Sequence, residues 1–168
     1  MMNLDNSSAT PLRPLPPSRP IKEEGSAKKP SKWLIYAIIA ISFIGFLDAS
    51  YLTINHYRGT NVGCSLTGGC EKVLTSEYAL IFNIPVALIG ALFYLTVFIL
   101  ALIYTDLKKP LIIKILAVIT ALAFLSTLRF VYIQLFVLKS ICQYCMLSAI
   151  TSTLLFILSL LAWRKTAK

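Results

Sequence analysis

The chain carries four cysteines in two pairs, Cys64/Cys70 and Cys142/Cys145. Cysteines at such spacings exchange disulfides, staple a fold or ligate a metal. Cys142-Gln143-Tyr144-Cys145 is a C-x-x-C followed directly by an apolar run. At the start of a helix its two sulfurs stand one turn apart and can close a disulfide. The free N–H groups and partial positive charge of a helix N-terminus favour a thiolate there. Ser140 is a candidate N-cap, and Lys139 adds positive charge. A thiolate so placed borders an apolar interior, where it can meet a lipid-soluble partner such as a quinone. A structural disulfide or a zinc half-site competes with this redox reading.

The second pair lies in a loop, Cys64-Ser-Leu-Thr-Gly-Gly-Cys70. Gly59, Gly63, Gly68 and Gly69 make that stretch flexible. Thiol–disulfide exchange requires the attacking sulfur to reach its target, so a mobile pair suits a relay. A loop staple is the plainer alternative. Segment 70–82, CEKVLTSEYALIF, sets Cys70, Leu74, Tyr78 and Ile81 at helical spacing. That spacing predicts a short helix across the mouth of the fold, with Glu77 close to its apolar face. Ser76 falls within this helix, where the pattern alone gives it only solvent contact.

Asp48 and Arg129 interrupt apolar runs. Charges inside membrane spans usually face the interior and are functional candidates. These two can pair with each other, or each can reach interfacial water. His56 stands alone near a span end and reads as a surface residue.

These groups are held by apolar elements. Of the 168 residues, 57% are hydrophobic and 14% charged, and the mean hydropathy is +0.77. Soluble domains carry about 25% charged residues, so the bilayer is the expected solvent. Four apolar stretches reach the roughly 20 residues that a crossing helix needs: about 33–57, 84–104, 111–138 and 141–163. They lack period-two alternation, so helices are expected rather than a barrel. The predicted fold is all-α and integral to the membrane: a four-transmembrane-helix bundle with an outward-facing loop carrying a short capping helix. Residues 1–32, rich in Pro, Ser, Lys and Glu, read as a disordered cytoplasmic arm. They are not a secretory signal, because the apolar run starts too late and no cleavage motif follows it. Residues 164–168 read as a cytoplasmic tail.

The formal charge is +9, but it gathers at span ends rather than on a basic face, which argues against nucleic acid. Arg13, Arg19, Lys22, Lys28, Lys29 and Lys32 precede the first span, Lys108-Lys109 joins the second to the third, and Arg164-Lys165 follows the fourth. Arg58, Lys72 and Lys139 mark the opposite side. By the positive-inside rule both termini are cytoplasmic and all four cysteines face outward. Two pairs on one side favour a relay over two independent staples.

The ordered set of motifs resembles the vitamin K epoxide reductase family, in its bacterial single-domain form without a fused thioredoxin-like domain. The resemblance covers roughly 33–163. It rests on Cys64-x5-Cys70, Glu-Lys-Val-Leu-Thr-Ser76, Tyr78-Ala79, Ile84-Pro85-Val86-Ala87-Leu88-Ile89-Gly90, Tyr94 and Cys142-x-x-Cys145. It implies a four-helix bundle around a quinone of the ubiquinone, menaquinone or vitamin K type. It also implies catalytic roles for Cys64, Cys70, Cys142, Cys145 and Ser76. A separate thioredoxin-like or DsbA-like protein delivers electrons at Cys64, Cys70 exchanges with Cys142, and Cys145 passes them to the membrane quinone pool. Ser76 assists near the quinone, and Val86 and Tyr94 contact it together with Cys145. Vertebrate members carry asparagine where this chain has Val86 and tyrosine where it has Ala149, which favours quinone over its epoxide as substrate. The implied place is a bacterial plasma (inner) membrane, with disulfide formation in exported proteins as the outcome. The disulfide bond formation protein B type also uses four helices, two cysteine pairs and a quinone, but its C-x-x-C lies in the first outer loop. A thiol-ligated metal-binding membrane protein and a disulfide-stapled structural protein are the readings from other classes. No resident metal is expected.

Overall fold

Residues 31–60, 62 and 69–167 are described in the computed structural model. Cys64 and nearly all of the N-terminal arm lie outside the described residues. Helix α1 spans Lys32–Arg58, and a short α2 spans Cys70–Leu74. Helix α3 spans Val86–Leu107, α4 spans Pro110–Tyr132 and α5 spans Gln143–Ala167. A π-helical turn, Ile133–Val137, extends α4. With it, the four long helices contribute apolar spans of 27, 22, 28 and 24 residues, enough to cross the roughly 30 Å hydrocarbon layer.

Local sequence sets the helix ends. Gly59 adopts φ 62°, and the N–H groups of Gly59 and Thr60 donate to the carbonyls of His56 and Asn55, a glycine stop. Pro110 opens α4, where a missing N–H costs nothing. Outward faces carry Phe43, Leu47, Leu111, Leu125, Leu128 and Ile150, all exposed. Water would penalise such a surface, whereas lipid matches it.

Inside, α1 lies against α3 and α5, and α4 lies against α5 and α3. Ile38, Tyr94, Val97, Ile113, Leu116 and Leu155 fill the core. Lipid gives helices little hydrophobic reason to associate, so small residues and hydrogen bonds join them. Gly45 on α1 lets the Tyr94 ring pack close against its backbone, since a methyl there would collide with the ring. The Tyr94 hydroxyl donates to the Ser148 carbonyl at 2.9 Å or shares its proton with Thr151 Oγ1 at 2.7 Å, tying α3 to α5. Thr127 and Ser152 join α4 to α5 at 2.8 Å.

The connection from α1 to α3 corrects one sequence expectation. A continuous helix over 70–82 is not formed. Helix α2 stops at Leu74, a 3-10 turn covers Glu77–Ala79, and a short antiparallel ladder follows. In it β1 (Leu80–Ile81) pairs with β2 (Ile84–Pro85). Thr75 Oγ1 donates to the Glu71 carbonyl and Ser76 Oγ to that of Val73, each at 2.7 Å. Such side-chain bonds compete with helix propagation, and Ser76 takes an extended backbone between the two helical pieces.

Candidate functional site

The termini of α1 and α5 that face the loop, the start of α3 and the end of α4 share one end of the bundle, so both cysteine-bearing segments meet there. Cys70 opens α2, is fully buried and is disulfide-bonded. Cys142 and Cys145 are free thiols, the first fully buried and the second partly so. Cys70, Val73 and Cys142 form one buried cluster, with Leu138, Tyr144 and Cys145 packed around it. Gly69 makes the approach possible: a Cβ there would stand 2.8 Å from the Ile141 carbonyl oxygen and 3.1 Å from its nitrogen. The loop pair thus reaches the C-x-x-C through Cys70.

The turn that presents the C-x-x-C is held by Gln134, a buried residue of the π-helical turn. Its side-chain Oε1 accepts from the Cys142 N–H at 3.1 Å, and its carbonyl accepts from the Ser140 N–H at 3.1 Å. Ser140 is therefore not the N-cap of α5. Cys142 takes that place, its carbonyl accepting the first helical bond from Met146. The Cys142 thiol, one residue ahead of α5, is pulled down to about 7. The main cause is a hydrogen bond from the Cys145 thiol, and the backbone N–H groups of Cys145 and Tyr144 add to it against the opposing effect of burial. Cys142 is thus poised as a thiolate near neutral pH.

Cys145, besides bonding Cys142, lines a cavity of about 470 Å³ bordered by all four long helices and the loop. Ser76, Val86, Tyr94 and Ala149 also line it, so four of the candidate positions converge with Cys145. Val86 and Ala149 present apolar surface. The Tyr94 hydroxyl is committed to α5, and the side chain is almost wholly buried in the cavity wall. The Ser76 hydroxyl bonds the Val73 carbonyl and must rotate to serve a ligand. Asp48 lines the cavity as well. It does not pair with Arg129: its Oδ2 is buried without a hydrogen-bond partner, while Arg129 is exposed on the outer face of α4. The two charges lie on different faces of their helices, which span spacing cannot reveal. His56, expected at the surface, is exposed at the cavity rim. Gln134 was the residue missed. Its one signal was an amide within an apolar run eight positions before Cys142.

Sequence comparison places this site in a known family. The chain is 36% identical over 122 residues to a thiol-disulfide oxidoreductase, LTO1, of Arabidopsis thaliana. The match covers 67% of this chain, which spans about a third (32%) of that longer protein. The vitamin K epoxide reductase family matches residues 36–160. That stretch holds both cysteine pairs and most of each span, and the chain belongs to the vitamin K epoxide reductase family.

Proposed function

We propose that the chain is a membrane thiol–disulfide oxidoreductase that oxidises a thioredoxin-like protein and reduces a quinone. The observation that carries this reading is the division of the C-x-x-C: Cys142 is packed on Cys70, while Cys145 faces the apolar cavity. A pair that touches the loop cysteine on one side and an apolar cavity on the other suits electron transfer between them. A cavity of about 470 Å³ lies within the usual range for small-molecule sites, and its lining suits a flat apolar ring. A bound quinone supplies a two-electron acceptor whose two oxygens also take protons.

The residues divide the work as follows. The partner's thiolate attacks the loop disulfide at Cys64, and the partner leaves oxidised. Cys70, now a thiolate, attacks Cys142 of the oxidised C-x-x-C, and Cys64 resolves that bond. This leaves Cys142 and Cys145 as a reduced pair beside the cavity. Gln134 fixes Cys142 in line with Cys70, and Cys145 delivers the electrons. Ser76 supplies a hydroxyl at the rim, and Val86 and the Tyr94 ring hold the acceptor flat. The partner is a thioredoxin-like or DsbA-like domain. Both termini face the cytoplasm of a bacterial inner membrane, with the cysteines outside.

A Cys64→Ala variant separates the two ends of the relay. It should lose oxidation of a reduced thioredoxin-like protein by about 100-fold or more, since the first exchange has no target. It should still reduce menadione with dithiothreitol as electron donor. Equal loss of both activities would contradict Cys64 as the site of attack.

A further inference from the structure

Asp48 is a carboxyl inside a membrane-spanning helix, and its Oδ2 is buried with no hydrogen-bond partner. Such an oxygen is costly to keep in an apolar interior, and intramembrane carboxyls of this kind serve proton or ion movement. It lines the same cavity as Cys145. Among the described residues, the other titratable side chains lining that space are His56 on α1, Tyr78 on the 3-10 turn and Tyr94 on α3, and α4 contributes none. The Tyr94 hydroxyl is engaged by Ser148 and Thr151. Asp48, Leu52 and His56 recur at steps of four along one face of α1, and all three line the cavity. That face runs from the interior to the exposed end of the helix.

We infer that Asp48 is the proton-exchange residue of the cavity, delivering to the acceptor a proton drawn from outer water along this face. The inference rests on the quinone reading above. Closing the Cys142–Cys145 bond releases two electrons, and hydroquinone formation needs those electrons and two protons. The step starts from the Cys142 thiolate, whose proton has gone to solvent. The Cys145 S–H supplies one proton, and the Asp48 carboxyl supplies the other and is then reprotonated from the rim past Leu52 and His56. Charge and atoms balance without a further reactant.

Asp48→Asn and Asp48→Glu test this, with the two half-reactions followed separately. In Asp48→Asn, reoxidation of the reduced enzyme by menadione should slow about 100-fold or more, the scale of a lost proton donor. Reduction of the oxidised enzyme by dithiothreitol should keep the wild-type rate, and Asp48→Glu should recover most of the loss. Dicyclohexylcarbodiimide, which modifies protonated carboxyls in apolar settings, should label Asp48, and menadione should slow that labelling. Reoxidation of Asp48→Asn at the wild-type rate would overturn the inference. So would a parallel fall in both half-reactions, which marks a structural role, or labelling that menadione leaves unchanged. A wild-type enzyme that menadione does not reoxidise would overturn the quinone reading, and this inference with it.

Discussion

Cys142 and Cys145 are three residues apart in sequence yet face different surroundings. Cys142 caps α5, receives a hydrogen bond from the Cys145 thiol and lies in the cluster with Cys70. Cys145 sits one turn on and lines the cavity. The lowered Cys142 thiol means that it deprotonates as pH rises through about 7 and is thiolate above that. In a Cys64→Ala/Cys70→Ala protein, the first ultraviolet thiolate band should therefore titrate near 7 rather than near 9. Adding Cys145→Ala removes the largest cause and should move that midpoint upward. A midpoint indifferent to Cys145 would contradict the hydrogen bond. The C-x-x-C was legible in the sequence because its spacing is local. Gln134 was not, because its worth depends on a π-helical turn that brings its amide to Cys142, a contact across eight positions.

At the scale of elements, the spans were legible for a physical reason: apolar length is read without knowing any tertiary contact. Two of their ends are set in the structure by Gly59 and Pro110, which the sequence reading did not use. The loop was less legible. Cys70, Leu74, Tyr78 and Ile81 have helical spacing, but the side-chain bonds of Thr75 and Ser76 break the helix after one turn. The packing of Tyr94 on Gly45 was also hidden, since each residue reads as ordinary helix filler alone. The meeting of α2 with the 140–141 turn depends on Gly69 having no side chain. Gly69→Ala should push the two segments apart and slow electron transfer from the loop pair to the C-x-x-C by about 10- to 100-fold, the scale of an ångström's misplacement. Stopped-flow quench with a thiol alkylator would read that step, while circular dichroism should stay that of the wild type. An unchanged transfer rate would show that the close approach is not needed.

At the scale of the whole molecule, four helices bring two cysteine-bearing segments to one end and enclose a cavity directly beneath them. The exterior matches lipid, the interior joins its helices by small residues and shared hydroxyls, and the carboxyl of Asp48, which breaks this pattern, lies in the cavity wall. In the proposed relay the thiols stand between a thioredoxin-like partner and a quinone, so it needs no redox group of its own. The central claim is that electrons leave through Cys145. The direct measurement mixes purified protein, a reduced thioredoxin-like protein and a quinone, and follows quinone absorbance. Wild type should consume quinone steadily, and Cys145→Ala should show no turnover above the uncatalysed background. Quinone reduction by Cys145→Ala at the wild-type rate would contradict the account.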